Sequence, residues 1–280
     1  MNKKLLALYG LKFNPFSPQV PPAALFTPAR IESFCWRIEQ QIGEGGFALV
    51  LGEVGTGKSA ALRLLSERLG QVRDLCVGVL SRPQAQVADF YRELGALFGV
   101  ALSPHNRWNS ARSLREKWLA HIEGSLYRPV LLVDEAQEMN TAVFCELRLL
   151  SSAELDSRSI LTIVLCGDHR LAGRLESSDL LPIASRIRSR LRLEALSPKE
   201  LRERFEHLCR QAGNPGLMTD ALVQTLCEHA AGNLRLLMNM ANELLLAASR
   251  QERAEIDEAL YFETFALDDP PARRAKASTR

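Results

Sequence analysis

The longest uninterrupted apolar runs in this 280-residue sequence, such as Phe47–Leu51 and Val130–Val133, are no longer than a strand. They fall far short of the roughly 18–20 residues that a membrane-spanning helix needs. The opening residues do not read as a signal peptide either: Lys3 and Lys4 precede Leu5-Leu6, but Tyr9-Gly10-Leu11-Lys12 interrupts the apolar stretch. The expected address is the cytoplasm, with no membrane partner. Six cysteines (Cys35, Cys76, Cys145, Cys166, Cys209, Cys227) include no CxxC pair. His207-x-Cys209 and Cys227-x-His229 fall in helix-patterned segments, where residues two apart point to opposite sides, and this argues against zinc. Buried, reduced thiols are the expectation. Excess charge is lacking as well, at a formal +2, so net charge says little about partners. Its distribution says more. Residues 182–193 hold Arg186, Arg188, Arg190 and Arg192 with no acid, and 270–280 hold Arg273, Arg274, Lys276 and Arg280, again with none.

What is present is order. Residues 1–28, rich in proline and phenylalanine, read as an extended, packed arm. After a helical stretch over 29–42, strand-like runs at Phe47–Leu51, Leu75–Leu80, Val130–Val133 and Ile160–Leu165 alternate with helical patterns. Apolar strands alternating with helices predict an α/β domain over 29–196, its parallel sheet covered by helices on both faces. Strict alternation over 190–196 predicts a half-wet edge strand. From Ser197-Pro198-Lys199-Glu200, a capping box with a first-turn proline, helices alone are legible. A small all-helical domain is therefore expected over 197–265, and a basic tail over 266–280.

Gly52-Glu53-Val54-Gly55-Thr56-Gly57-Lys58-Ser59 fits G-x-x-x-x-G-K-[ST] in full, with a strand before it and a helix, continuing through Ala60, after it. The glycines let backbone N–H groups turn inward around phosphates, and the helix N-terminus adds partial positive charge. Lys58 is expected at the β- and γ-phosphates of ATP and Ser59 on Mg²⁺. Val130-Leu131-Leu132-Val133-Asp134-Glu135 is an apolar strand with two carboxylates at its C-terminal tip. Asp134 is the candidate second Mg²⁺ ligand. Glu135, pointing the other way, is the candidate base for the attacking water. That second carboxylate favours a hydrolysing machine over a nucleotide-binding switch.

The same order, followed by an arginine-rich stretch and a helical lid carrying Gly232-Asn233-Leu234-Arg235, resembles an AAA+ ATPase. Asp134-Glu135-Ala136-Gln137 followed by Glu146-Leu147-Arg148-Leu149-Leu150 narrows the resemblance to one branch. That branch holds component A of general secretion and the helper ATPases of bacterial DNA transposition. The resemblance covers about residues 8–250 and implies several roles. Arg235 is the lid arginine that senses the γ-phosphate. Arg186 is a finger entering a neighbouring subunit's site, with Arg188 and Arg190 as rivals. Asp168, in Cys166-Gly167-Asp168-His169 where relatives carry Gly-Gln, is a departure that still offers an acceptor for the attacking water. Phe13 and Phe16 either flank the adenine or pack the arm.

Two main jobs follow from the resemblance. A transposition helper would assemble as a ring or filament, grip double-stranded DNA and contact a transposase. Its candidate DNA contacts are Arg107, Arg112, Arg115 and Lys117, which are equally the wet face of an amphipathic helix. A secretion-type ATPase, or an adaptor that binds only proteins, is the alternative. Taken as complete, a chain that ends in a basic tail favours transposition.

Overall fold

A computed structural model describes residues 2–102, 106–154 and 157–265; the expected tail at 266–280 lies outside these described residues. In chain order the elements begin α1 (Asn2–Leu8), α2 (Ala29–Gln41), β1 (Gly46–Gly52), α3 (Lys58–Gly70), β2 (Val77–Leu80) and α4 (Val87–Phe98). They continue α5 (Arg107–Ser125), β3 (Val130–Val133), α6 (Thr141–Ser151), β4 (Ser152–Ala153), β5 (Arg158–Ser159) and β6 (Thr162–Gly167). Next come α7 (His169–Leu175), α8 (Leu181–Ala184) and β7 (Ile187–Leu193). The last four are α9 (Pro198–Ala212), α10 (Asp220–His229), α11 (Leu234–Arg250) and α12 (Glu258–Phe265).

The chain forms two compact units. The first, Thr27–Glu194, holds a five-stranded sheet in the order β2-β3-β6-β1-β7, every neighbouring pair parallel. Successive residues of each strand go to opposite faces, as the two-residue period requires. Phe47, Leu49, Leu131, Val133, Ile163 and Leu165 pack with Phe90, Trp118 and Phe144 on one side. Ala48, Val50, Val130, Leu132, Val164 and Cys166 pack with Phe34, Ile38 and Leu65 on the other. This two-sided burial explains why the central strands read as unbroken apolar runs. The edge strand, expected over 190–196, runs Ile187–Leu193 instead. Just beyond it the Leu196 N–H is drawn to the Gly232 carbonyl at 3.0 Å, within the second unit.

That second unit joins the residues up to Phe26 to those from Ala195 onward. The N-terminal segment, expected as an extended arm, opens with helix α1 and belongs to this unit's core. Leu5, Tyr9, Leu11 and Phe16 are buried with Phe205, Leu222, Leu237 and Leu244. The Lys12 N–H donates to the Ala212 carbonyl at 2.8 Å, and the Phe16 ring stacks on Phe205 at 5.1 Å. Exposing Phe16 to flank an adenine would forgo about 1.5–3 kcal/mol of burial, so its place is the helical core. The capping box at Ser197 forms: its hydroxyl accepts from the Glu200 N–H at 3.2 Å, and its own N–H donates to the Glu200 carboxylate at 2.9 Å.

Candidate functional site

The loop that follows β1 turns through Gly55 and Gly57 at φ of 85° and 98°. Gly57 is the N-cap of α3, in a left-handed conformation that a Cβ disfavours. Thr56 closes the loop, its hydroxyl donating to the Glu53 carbonyl at 2.8 Å. Lys58 is only 6% exposed, and its ammonium donates to that same carbonyl at 3.2 Å. No carboxylate pairs with it among the described residues. A nearly buried ammonium, neutralised by nothing in the loop, at the positive end of a helix, suits a polyphosphate. Ser59 and Ala60 follow in the first turn of α3, both half-buried, while Val54 stands exposed at the loop's tip.

The paired acids lie two strands away, at the tip of β3, with β6 between them and the loop. The Asp134 carboxylate accepts from the Glu135 N–H at 2.9 Å. Beside it is the Cys166 thiol of β6, pushed well up by burial and then by the Asp134 charge and hydrogen bond, so that it stays a neutral neighbour. Glu135 itself holds φ +50°, uncommon for a residue with a side chain. Outliers of this kind gather at functional sites. The Gln137 amide donates to the Glu135 carboxylate. Its oxygen lies 3.4 Å from the donating Asp168 N–H. A Cβ on Gly167 would come within 2.5 Å of that oxygen, so the glycine makes room for the bridge. Gln137 is 7% exposed, and Arg174 anchors its backbone, donating to the Gln137 and Met139 carbonyls at 2.6 Å each. Gln137 had entered the sequence reading only within a family motif; its bridging of two strand tips depends on tertiary placement.

Among the described residues no group of three or more His, Cys, Asp or Glu could hold a metal by itself. That suits Mg²⁺, which takes one or two protein ligands and fills its shell with phosphate oxygens and water. Ser59 and Asp134 are the residues that could hold it.

The remaining candidates are placed differently. Asp168, expected to face the attacking water, is the N-cap of α7. Its carboxylate accepts from the Arg170 N–H and Nε, both at 2.9 Å. Burial works to raise its pKa, but the Arg170 hydrogen bonds and charge outweigh it and hold the group below the ordinary carboxylate range. Arg186 follows α8 and donates to the Pro182 carbonyl. Arg188 pairs with Glu44 at 2.7 Å, and Arg190 donates to the Ala184 carbonyl at 3.4 Å. Arg235 is exposed in the first turn of α11, in the helical unit. On α5 three of the four expected DNA contacts are engaged by the protein itself. Arg107 pairs with the buried Glu146 at 3.0 Å and Arg112 with Glu116 at 2.7 Å. Arg115 donates to the Leu149 carbonyl at 3.0 Å, and Lys117 is exposed. Glu53 faces His169, with 3.1 Å between carboxylate and ring.

Residues 40–175 match a family model described as an AAA domain. The chain is 29% identical over 246 residues to General secretion pathway protein A of Aeromonas hydrophila. That match covers 86% of this chain and 44% of the relative, so the chain spans less than half the relative's length. Cdc6p from Pyrobaculum aerophilum superposes with a TM-score of 0.70 at 15% identity, over 90% of this chain and 70% of that one. The ORC1 protein of Aeropyrum pernix, solved in complex with DNA, gives 0.67 at 17% identity, over 90% and 68%. With the phosphate loop and the paired acids in place, the match over residues 40–175 reads as an AAA domain with an ATP-hydrolysing site that takes ATP with Mg²⁺.

Proposed function

We propose that the chain is an ATP-dependent, DNA-engaging AAA+ ATPase that assembles with ATP between its subunits and serves as a helper in DNA transposition, recruiting or activating a transposase. The observation that carries the DNA part is the charge on β7. Arg188, Arg190 and Arg192 all point outward from an edge strand while Ser189, Leu191 and Leu193 point in, so cations accumulate on one exposed side.

Within the site, Lys58 and the loop N–H groups neutralise the phosphates, and Ser59 and Asp134 hold the metal. Bound Mg²⁺ would supply electrophilic stabilisation of the γ-phosphoryl oxygens. Glu135 orients the water and takes its proton, and Gln137 holds Glu135 in register. Arg235 senses the γ-phosphate from the lid, and Arg186 acts as the finger toward a neighbouring subunit. Asp168 supports these groups by fixing the start of α7.

A second reading, a secretion-type ATPase working on protein partners, is favoured by the similarity to General secretion pathway protein A over 86% of the chain. DNA-dependent ATPase activity separates the two. Turnover that rises when duplex DNA is added supports the helper reading, and turnover indifferent to DNA at low salt moves the assignment to secretion.

A further inference from the structure

Resting on the DNA-engaging reading above, we infer that the duplex is held by its phosphates on a face built from α2 and β7, and not by the arginines of α5. α2 buries Ile31, Phe34, Cys35 and Ile38, which turns Trp36 and Arg37 outward about two helical turns beyond Arg30. β7 runs alongside, and its outward arginines repeat about every 6.6 Å. The Arg37 guanidinium donates to the Arg190 carbonyl at 3.2 Å, tying helix and strand into one surface. Between them lies a depression of about 740 Å³ lined by Arg30, Trp36, Arg37, Arg190, Arg192 and the acid Glu32.

Among the described residues neither Arg37 nor Arg190 has an ion pair; each donates to a backbone carbonyl. Glu32 is taken by Arg68 at 2.6 Å, and Glu194 stands 3.9 Å from Arg192 with both side chains well exposed. Arginines on an edge strand also guard against strand-to-strand aggregation. That role does not account for Trp36, whose indole is 57% exposed among the guanidiniums. Planar guanidinium forks beside an exposed aromatic ring fit a sugar–phosphate backbone: the forks take phosphate oxygens in pairs and the ring covers the sugar face. On α5, Arg107 and Arg112 carry their own carboxylates, as Arg188 does on β7, whereas Arg37 and Arg190 pair with none among the described residues.

The test uses the 280-residue chain carrying Glu135→Gln, which retains ATP, with fluorescence anisotropy of a labelled non-specific duplex over a salt series. Arg37→Ala/Arg192→Ala in that background should weaken binding about ten-fold and flatten the log–log salt slope by roughly 2. Trp36→Ala should weaken binding and leave the slope unchanged. Arg112→Ala/Arg115→Ala should bind as the parent does. ATP-dependent assembly without DNA, followed by light scattering, should be the same in all of them, and thermal unfolding checks that each variant folds. The assignment falls if the Arg37/Arg192 variant binds like its parent. It falls equally if that variant loses assembly without DNA, because the face then meets a second copy or an acidic protein. A parent that binds no duplex at low salt overturns the DNA reading itself, and the surface assignment with it.

Discussion

The tips of β3 and β6 are neighbours in the sheet, yet Glu135 past the first and Asp168 past the second are held in different ways. Glu135 projects from a left-handed backbone position with its carboxylate steadied by a single neutral amide. Asp168 is tied to its own helix by an N-cap bond and a guanidinium. A base must be free to take a proton, whereas a cap must keep its lone pairs occupied. Position at a strand tip therefore does not by itself leave a carboxylate available; the number of partners already satisfied does. Gln137 makes the contrast possible, since it gives one end to Glu135 and the other to the Asp168 backbone.

The comparison breaks most sharply at Glu135. Replacing it with glutamine should lower kcat at least about 100-fold and leave ATP binding intact, as loss of a general base does. Steady-state turnover beside labelled-nucleotide binding checks this, and unchanged turnover would pass the role to another group. Gln137→Ala should come next, lowering kcat about ten-fold with little change in KM, on the scale of lost supporting hydrogen bonds. Equal losses in nucleotide affinity and kcat would instead mean a general disruption of the tip. Asp168→Ala should act chiefly on stability, costing about 1 kcal/mol of helix capping, read as a lower denaturation midpoint. Asp168→Asn, which still caps, should recover most of that loss. Because the Asp168 pKa is lowered in the folded state, its contribution is present above the ordinary carboxylate range and is lost as pH falls through the lowered value. The smallest effect is expected at Cys166: its pKa is raised, so it remains a neutral buried thiol, and folded protein at pH 8 should leave it unlabelled by iodoacetamide. Rapid labelling there would show that the β6 tip opens.

Much of this was legible residue by residue. The Gly52–Ser59 loop and the Asp134-Glu135 tip depend on contiguous residues, whose backbone and spacing carry the chemistry locally. The central strands were readable because burial on both faces leaves an unbroken apolar run. Helix α1 and the short α7 and α8 were missed, since seven residues or fewer give too little periodicity to register. Charge on α5 could be read along the sequence but its pairing could not: Glu146 lies well over thirty residues from Arg107.

Sequence by itself determined the phosphate loop, the paired acids, the alternation that builds the parallel sheet, and the switch to helices at Ser197. These are patterns of neighbouring residues governed by local conformation and periodic burial. Tertiary structure alone decided which acid is left available, which arginines are neutralised, that Gln137 spans two strands, and that the first 26 residues complete the helical core. Each of these turns on contacts between residues distant in the chain, and packing of the whole unit selects them.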